Sequence, residues 1–138
     1  MIERRLLQVA VALACLVPFA ASLAGIVGGA QWLAGDGTVA TDLDSHFRYL
    51  SGIFLMLGLA FASCIPRVER SGPRFRLLAA MVVAGGVGRL VSMAALGWPG
   101  AGMRFGLVME LGVVPLLALW QARVARRYAS HADRQRRT

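Results

Sequence analysis

The stretch LLQVAVALACLVPFAASLAGIVGGA, residues 6–30, decides how the rest of the chain is read. Its 25 residues include no aspartate, glutamate, lysine or arginine. A helix needs about 20 apolar residues to cross the roughly 30 Å hydrocarbon layer of a bilayer, and this run is long enough. Three more stretches follow it, at 47–65, 75–97 and 105–121, with Arg89 inside the third span and Glu110 inside the fourth. The composition agrees. Of 138 residues, 57% are hydrophobic and 16% charged, with a mean hydropathy of +0.62. A small soluble globule would leave much of that apolar surface in contact with water. Soluble enzyme, disordered tail and disulfide-stapled secreted domain are therefore set aside. The fold class predicted is an all-α, integral membrane four-helix bundle.

Between the spans lie an acidic segment (31–46), a basic turn (66–74) and a short Trp-Pro-Gly turn (98–103). Gly72-Pro73 and Pro99-Gly100 break helical pattern. Residues 1–122 thus form a single four-span domain, and 123–138 an Arg-rich cytoplasmic tail. The arginines set the orientation. Arg4 and Arg5 precede span one, Arg67, Arg70, Arg74 and Arg76 surround the turn after span two, and Arg123, Arg126 and Arg127 follow span four. The positive-inside rule puts both termini in the cytoplasm. Trp32, Tyr49 and Trp98 then mark the outer interface, Trp120 and Tyr128 the inner one. A rival reading makes span one a cleaved signal peptide, with Ser22-Leu23-Ala24 as a small-x-small cleavage site; the apolar run continues past that site to Ala30.

All fifteen basic residues are arginine, and the seven acids leave a formal charge of +8. The absence of lysine and asparagine points to a GC-rich bacterial genome. The arginines flank apolar runs instead of lining one face, so they read as topology determinants and anionic-lipid contacts at the tail, not as a nucleic-acid surface. Localisation in the bacterial inner membrane follows.

Arg89 and Glu110 are the costliest residues, since a charge near the bilayer centre costs about 2.5–3.5 kcal/mol on insertion scales. They lie at similar depth on consecutive antiparallel spans, which suits a guanidinium–carboxylate contact. That contact reads either as the floor of a polar cavity or as a clasp that fixes packing. Span two opens with Asp44, His46, Arg48 and Tyr49. Asp44 and Arg48 are four apart and can pair along the helix. Thr41 with Asp44 fits a capping box, or Asp44 itself caps the helix; Arg48 fits a snorkelling arginine, and His46 is a residue type that can move protons. All five ionisable residues map to the outer half of the membrane, where they form the candidate polar pocket, with Tyr49, Ser92 and Arg104 as secondary members.

No metal site or cofactor is expected. His46 and His131 fall on opposite sides, Cys15 and Cys64 lack a CxxC spacing, and Gly85-Gly86-Val87-Gly88 lacks the third glycine of a dinucleotide motif. Gly25/Gly29, Ala84/Gly88 and Gly102/Gly106 have the four-residue spacing that lets helices approach closely. Pro18 and Pro115 fall inside spans.

The words Asp44-Ser-His-Phe-Arg-Tyr-Leu-Ser-Gly, Gly85-Gly-Val-Gly-Arg-Leu-Val-Ser and Met109-Glu-Leu-Gly-Val-Val-Pro resemble, taken jointly, a family of small bacterial four-span membrane proteins known as a domain of unknown function. The resemblance covers about residues 9–121 and implies the four-helix architecture, not an activity. Small multidrug exporters share the size and span number, but their signature carboxylate lies in the first span, where this chain has no acid. Three functions stay open. The first is a membrane protein whose outer pocket binds an amphiphilic small molecule or partner helix. The second is a membrane-embedded enzyme with isomerase-like acid–base chemistry through His46 or Glu110. The third is a proton-coupled carrier, which would act as a homo-oligomer because four short helices enclose little volume.

Overall fold

The computed structural model describes residues 2–136, with side chains through residue 130, and every regular element among them is helical. Helix α1 runs Ile2–Gly28 with Pro18 inside it. It ends at Gly29, whose φ of +61° is the left-handed conformation that glycine adopts without steric cost. A short α2 (Gln31–Ala34) follows, and α3 (Thr41–Ala62) starts after the extended residue Ala40. A 3₁₀ turn at Ile65–Arg67 leads to α4 (Gly72–Leu96), which has Pro73 in its first turn, where the missing N–H costs nothing. Gly97, at φ +92°, ends α4 before Pro99. The last hydrophobic stretch is α5 (Ala101–Val108), a π-helical turn (Met109–Val113) and α6 (Val114–Arg136) in unbroken succession.

Four helical segments are long and apolar enough to cross a membrane: Ile2–Gly28, Thr41–Arg67, Gly72–Leu96 and Ala101–Ser130. Their side chains are distributed the opposite way from those of a soluble protein. Leu13 and Leu16 on α1, Met81 and Val91 on α4, and Leu116 and Leu119 on α6 are exposed, whereas Ser22, Ser51, Glu110 and Gln121 are buried. Apolar surface turned outward with polar groups inside is what a hydrocarbon solvent selects.

The chain divides into two compact units, Val9–Ile65 and Met1–Gln8 with Pro66–Thr138. In the first, α1 meets α3 through small residues. A Cβ on Gly58 would lie 3.1 Å from the Phe19 ring, and one on Gly25 would run into the Ser51 hydroxyl. In the second, α4 packs against α6, α5 and the π turn around Phe75, Leu78, Leu117 and Val124.

The glycine spacings behave differently from expectation. Gly25 is a packing position, but Gly29 terminates the helix instead. A Cβ added to Gly88 or to Gly102 would meet nothing within 4 Å, so neither mediates a close approach. The close glycine of α4 is Gly86, where a Cβ would stand 2.7 Å from Leu111 Cδ2 and 3.0 Å from Glu110 Cβ. The capping box also gives way to another arrangement. The α3 N-cap is Ala40, with no side-chain cap, because the Asp44 carboxylate is engaged elsewhere.

Candidate functional site

The five ionisable residues singled out by sequence fall into two pairs and a histidine. The first pair is Asp44 with Arg48, one turn apart on α3. Arg48 Nε lies 2.8 Å from Asp44 Oδ2. Asp44 Oδ1 accepts the Ala30 amide at 2.8 Å, and Arg48 Nη1 donates to the carbonyls of Ile26 and Val27 (3.1 Å for the latter). The last carbonyls of a helix have no partner within it, and the helix dipole makes that end negative. Arg48 therefore caps α1, and Asp44 holds both the guanidinium and the chain as it leaves the helix. Arg48 does not simply snorkel, and Asp44 does not cap its own helix; together they clasp α1 to α3. His46 and Tyr49 lie exposed nearby on α3, ring centroids 6.3 Å apart.

The second pair is Arg89 with Glu110. Arg89 Nε stands 3.1 Å from Glu110 Oε1 and 3.0 Å from Oε2, but only the Oε1 approach is aligned as a hydrogen bond. One guanidinium nitrogen thus straddles the carboxylate, in place of a two-nitrogen fork. Arg89 Nη1 also points to the Met103 sulfur at 2.8 Å, a weak acceptor. The Glu110 side chain is 9% exposed and that of Arg89 41%.

The local backbone explains why the glutamate faces inward here. Pro115 has no N–H to offer the Leu111 carbonyl, and its ring crowds that oxygen. The widened π turn over Met109–Val113 lies at this point and carries Glu110. Glycines clear the space around it: Gly86 admits Leu111 and Glu110 from across the helix interface, and a Cβ on Gly106 would come to 4.0 Å from Glu110 Oε1. Such π turns recur at functional sites. Ser92 and Arg104 are exposed on α4 and α5.

Two buried polar residues were not singled out in the sequence. Glu69, read there as part of a basic turn, has a side chain only 4% exposed, with Arg4 Nε 2.9 Å from Oε2. Arg4 also donates to the Pro66 carbonyl at 2.9 Å. Gln121, read as the end of a span, is wholly buried and donates to the Val68 carbonyl at 2.8 Å. A signal for the first existed in retrospect, since Glu69 is the one acid among four arginines between residues 67 and 76. Of the tail, His131 and the arginines beyond it have side chains outside those described. Cys15 and Cys64 are buried free thiols.

Four helices long and apolar enough to span a membrane, two of them joined by the Arg89–Glu110 ion pair, mark an all-α, multi-pass membrane protein. Residues 6–121 match the family model described as Domain of unknown function (DUF4345), and the chain belongs to that family. No curated protein and no solved structure matches the chain significantly.

Proposed function

We propose that this protein resides in a bacterial inner membrane with both termini in the cytoplasm, and that its Arg89–Glu110 site, in the outer half of the bilayer, holds the polar head of an amphiphilic small molecule. One observation carries the reading. The Glu110 carboxylate is buried, but the arginine side chain it anchors remains 41% exposed on a helix of membrane-spanning length. In hydrocarbon, N–H groups left without a partner cost several kcal/mol each, so the outward edge of Arg89 calls for a polar group from outside the chain. An amphiphile supplies an acceptor at that depth while its tail remains in lipid. Glu110 fixes the guanidinium in place, and the π turn fixes Glu110.

The test uses a dansyl-labelled fatty acid and the full-length protein in detergent. Saturable binding to wild type and a loss of at least about tenfold in Arg89→Gln are expected, the latter corresponding to about 1.4 kcal/mol for a lost charge-assisted hydrogen bond. Equal binding by both proteins overturns the reading. Efficient Met103→Cys crosslinking between two copies, insensitive to the fatty acid, would assign the edge of Arg89 to a partner helix instead.

A further inference from the structure

A second polar surface lies at the other end of α4, 17 residues and about 25 Å of helix from Arg89. The two glutamates at this end are already engaged: Glu3 meets Arg127 at 2.7 Å and Arg123 at 3.6 Å, and Glu69 meets Arg4. Arg67, Arg74 and Arg76 are exposed and have no carboxylate among the described residues.

The start of α4 lies among these arginines. A helix start carries partial positive charge, and sequences ordinarily set an acid or a capping oxygen against it. Here the first turn has no acid and contains Arg74. Ser71, the N-cap residue, gives no side-chain cap; its hydroxyl turns back and donates to the Arg67 carbonyl at 3.0 Å. Positive side chains are thus added to a positive helix end, an arrangement that becomes favourable when an anion joins it.

An independent observation comes from Gln121. Its Nε2 is bonded to Val68, but Oε1, equally buried, has no donor. That amide faces the first residue of α4: a Cβ on Gly72 would stand 3.7 Å from both amide atoms and 3.3 Å from Arg76 Nη1. The site therefore combines a rim of N–H donors with one unmet acceptor in its floor. A phosphodiester satisfies the rim, and a hydroxyl beside it satisfies the floor. Because α4 has membrane-spanning length, its end lies at headgroup level, so the molecule offering both groups there is a lipid.

We infer that the start of α4 seats the headgroup of an anionic, hydroxyl-bearing phospholipid, its phosphate on the helix end between Arg74 and Arg76 and its hydroxyl donating to Gln121 Oε1. This seat is distinct from the Arg-rich tail and does not depend on the Arg89 reading.

The experiment measures lipid binding to the full-length protein by native mass spectrometry, with phosphatidylglycerol, phosphatidylmethanol and phosphatidylcholine as probes. Phosphatidylglycerol binds best. Phosphatidylmethanol, which has the charge without the hydroxyl, binds about fivefold more weakly, as expected for one neutral hydrogen bond. Arg74→Gln/Arg76→Gln weakens phosphatidylglycerol about 30-fold, the effect of two arginine contacts. Arg5→Gln/Arg126→Gln, which removes equal charge elsewhere in the same unit without touching the seat, changes it far less. Melting in detergent without lipid is the same for both doubles, and Arg76→Gln alone gives about a fivefold loss in case the double is poorly folded. Equal losses in the two doubles would reduce the seat to diffuse electrostatics. Equal binding of phosphatidylglycerol and phosphatidylmethanol would remove the role of Gln121, and competition by inorganic phosphate at equal concentration would overturn the assignment to a lipid.

Discussion

Two glycines one residue apart show how much of this protein is decided at single positions. A methyl on Gly86 would press to 2.7 Å of Leu111 and 3.0 Å of Glu110, on a helix and a π turn that are both packed from other sides. A methyl on Gly85 would meet nothing within 4 Å. Gly86→Ala is therefore expected to lower stability by about 1–3 kcal/mol through overpacking. Gly85→Ala should be neutral or stabilising by up to about 1 kcal/mol through helix propensity. Thermal melts of the two variants in one detergent check this, and equal behaviour would mean that α4 does not approach the π turn at Gly86. The buried pair Arg4–Glu69 is the other residue-scale case. Losing Arg4 strands a carboxylate whose side chain is 4% exposed. Breaking a buried pair costs about 3–5 kcal/mol. The Arg4 side chain as a whole is 39% exposed, which screens the pair, so about 2 kcal/mol is expected for Arg4→Ala. Arg4→Ala/Glu69→Gln should recover part of the loss, because a neutral amide needs no counter-charge; no recovery in a double-mutant cycle would show that the pair is not coupled.

Among elements, the long helices were legible because hydropathy is a local property: a run of apolar residues announces its own solvent. What the charged residues do was less legible, because their partners are distant in sequence. Asp44 reads locally as a cap for α3, and only the structure shows that its acceptor capacity goes to Ala30, fourteen residues back. The π turn left one trace, Pro115 two residues beyond its end, which reads as a kink and not as a change in helical period. Glu69 and Gln121 were hidden for the same reason: one stands in a turn and the other at the very end of an apolar run, and their partners, Arg4 and Val68, are distant in sequence. The clasp between α1 and α3 gives a prediction at this scale. Asp44→Ala removes the acceptor for Ala30 N–H and the anchor of Arg48. The loss should be local, appearing as faster hydrogen exchange at Ala30 and the end of α1, with the α4–α6 amides unchanged. Uniformly faster exchange would show that the clasp supports more than the helix end.

For the whole molecule, the question with the largest consequence is whether α1 stays attached. Its first residues belong to the same compact unit as α4 and α6. Leu7 is wholly buried, Arg4 bonds Pro66 and pairs with Glu69, and Glu3 takes Arg123 and Arg127. Cleavage after Ala24 would remove all of these at once. It would leave Glu69 as a buried charge without its cation, a state that costs several kcal/mol. It would also take away three of the buried apolar side chains, Leu7, Val11 and Cys15. A signal peptide is discarded and has no reason to be tied to the rest of the fold, whereas this segment supplies both charge pairing and core. The expected outcome is therefore a retained first helix, with intact-mass measurement of membrane-extracted protein showing residues 1–24 to be present. A mass reduced by residues 1–24 would mean that Glu69 finds another partner and that three spans remain.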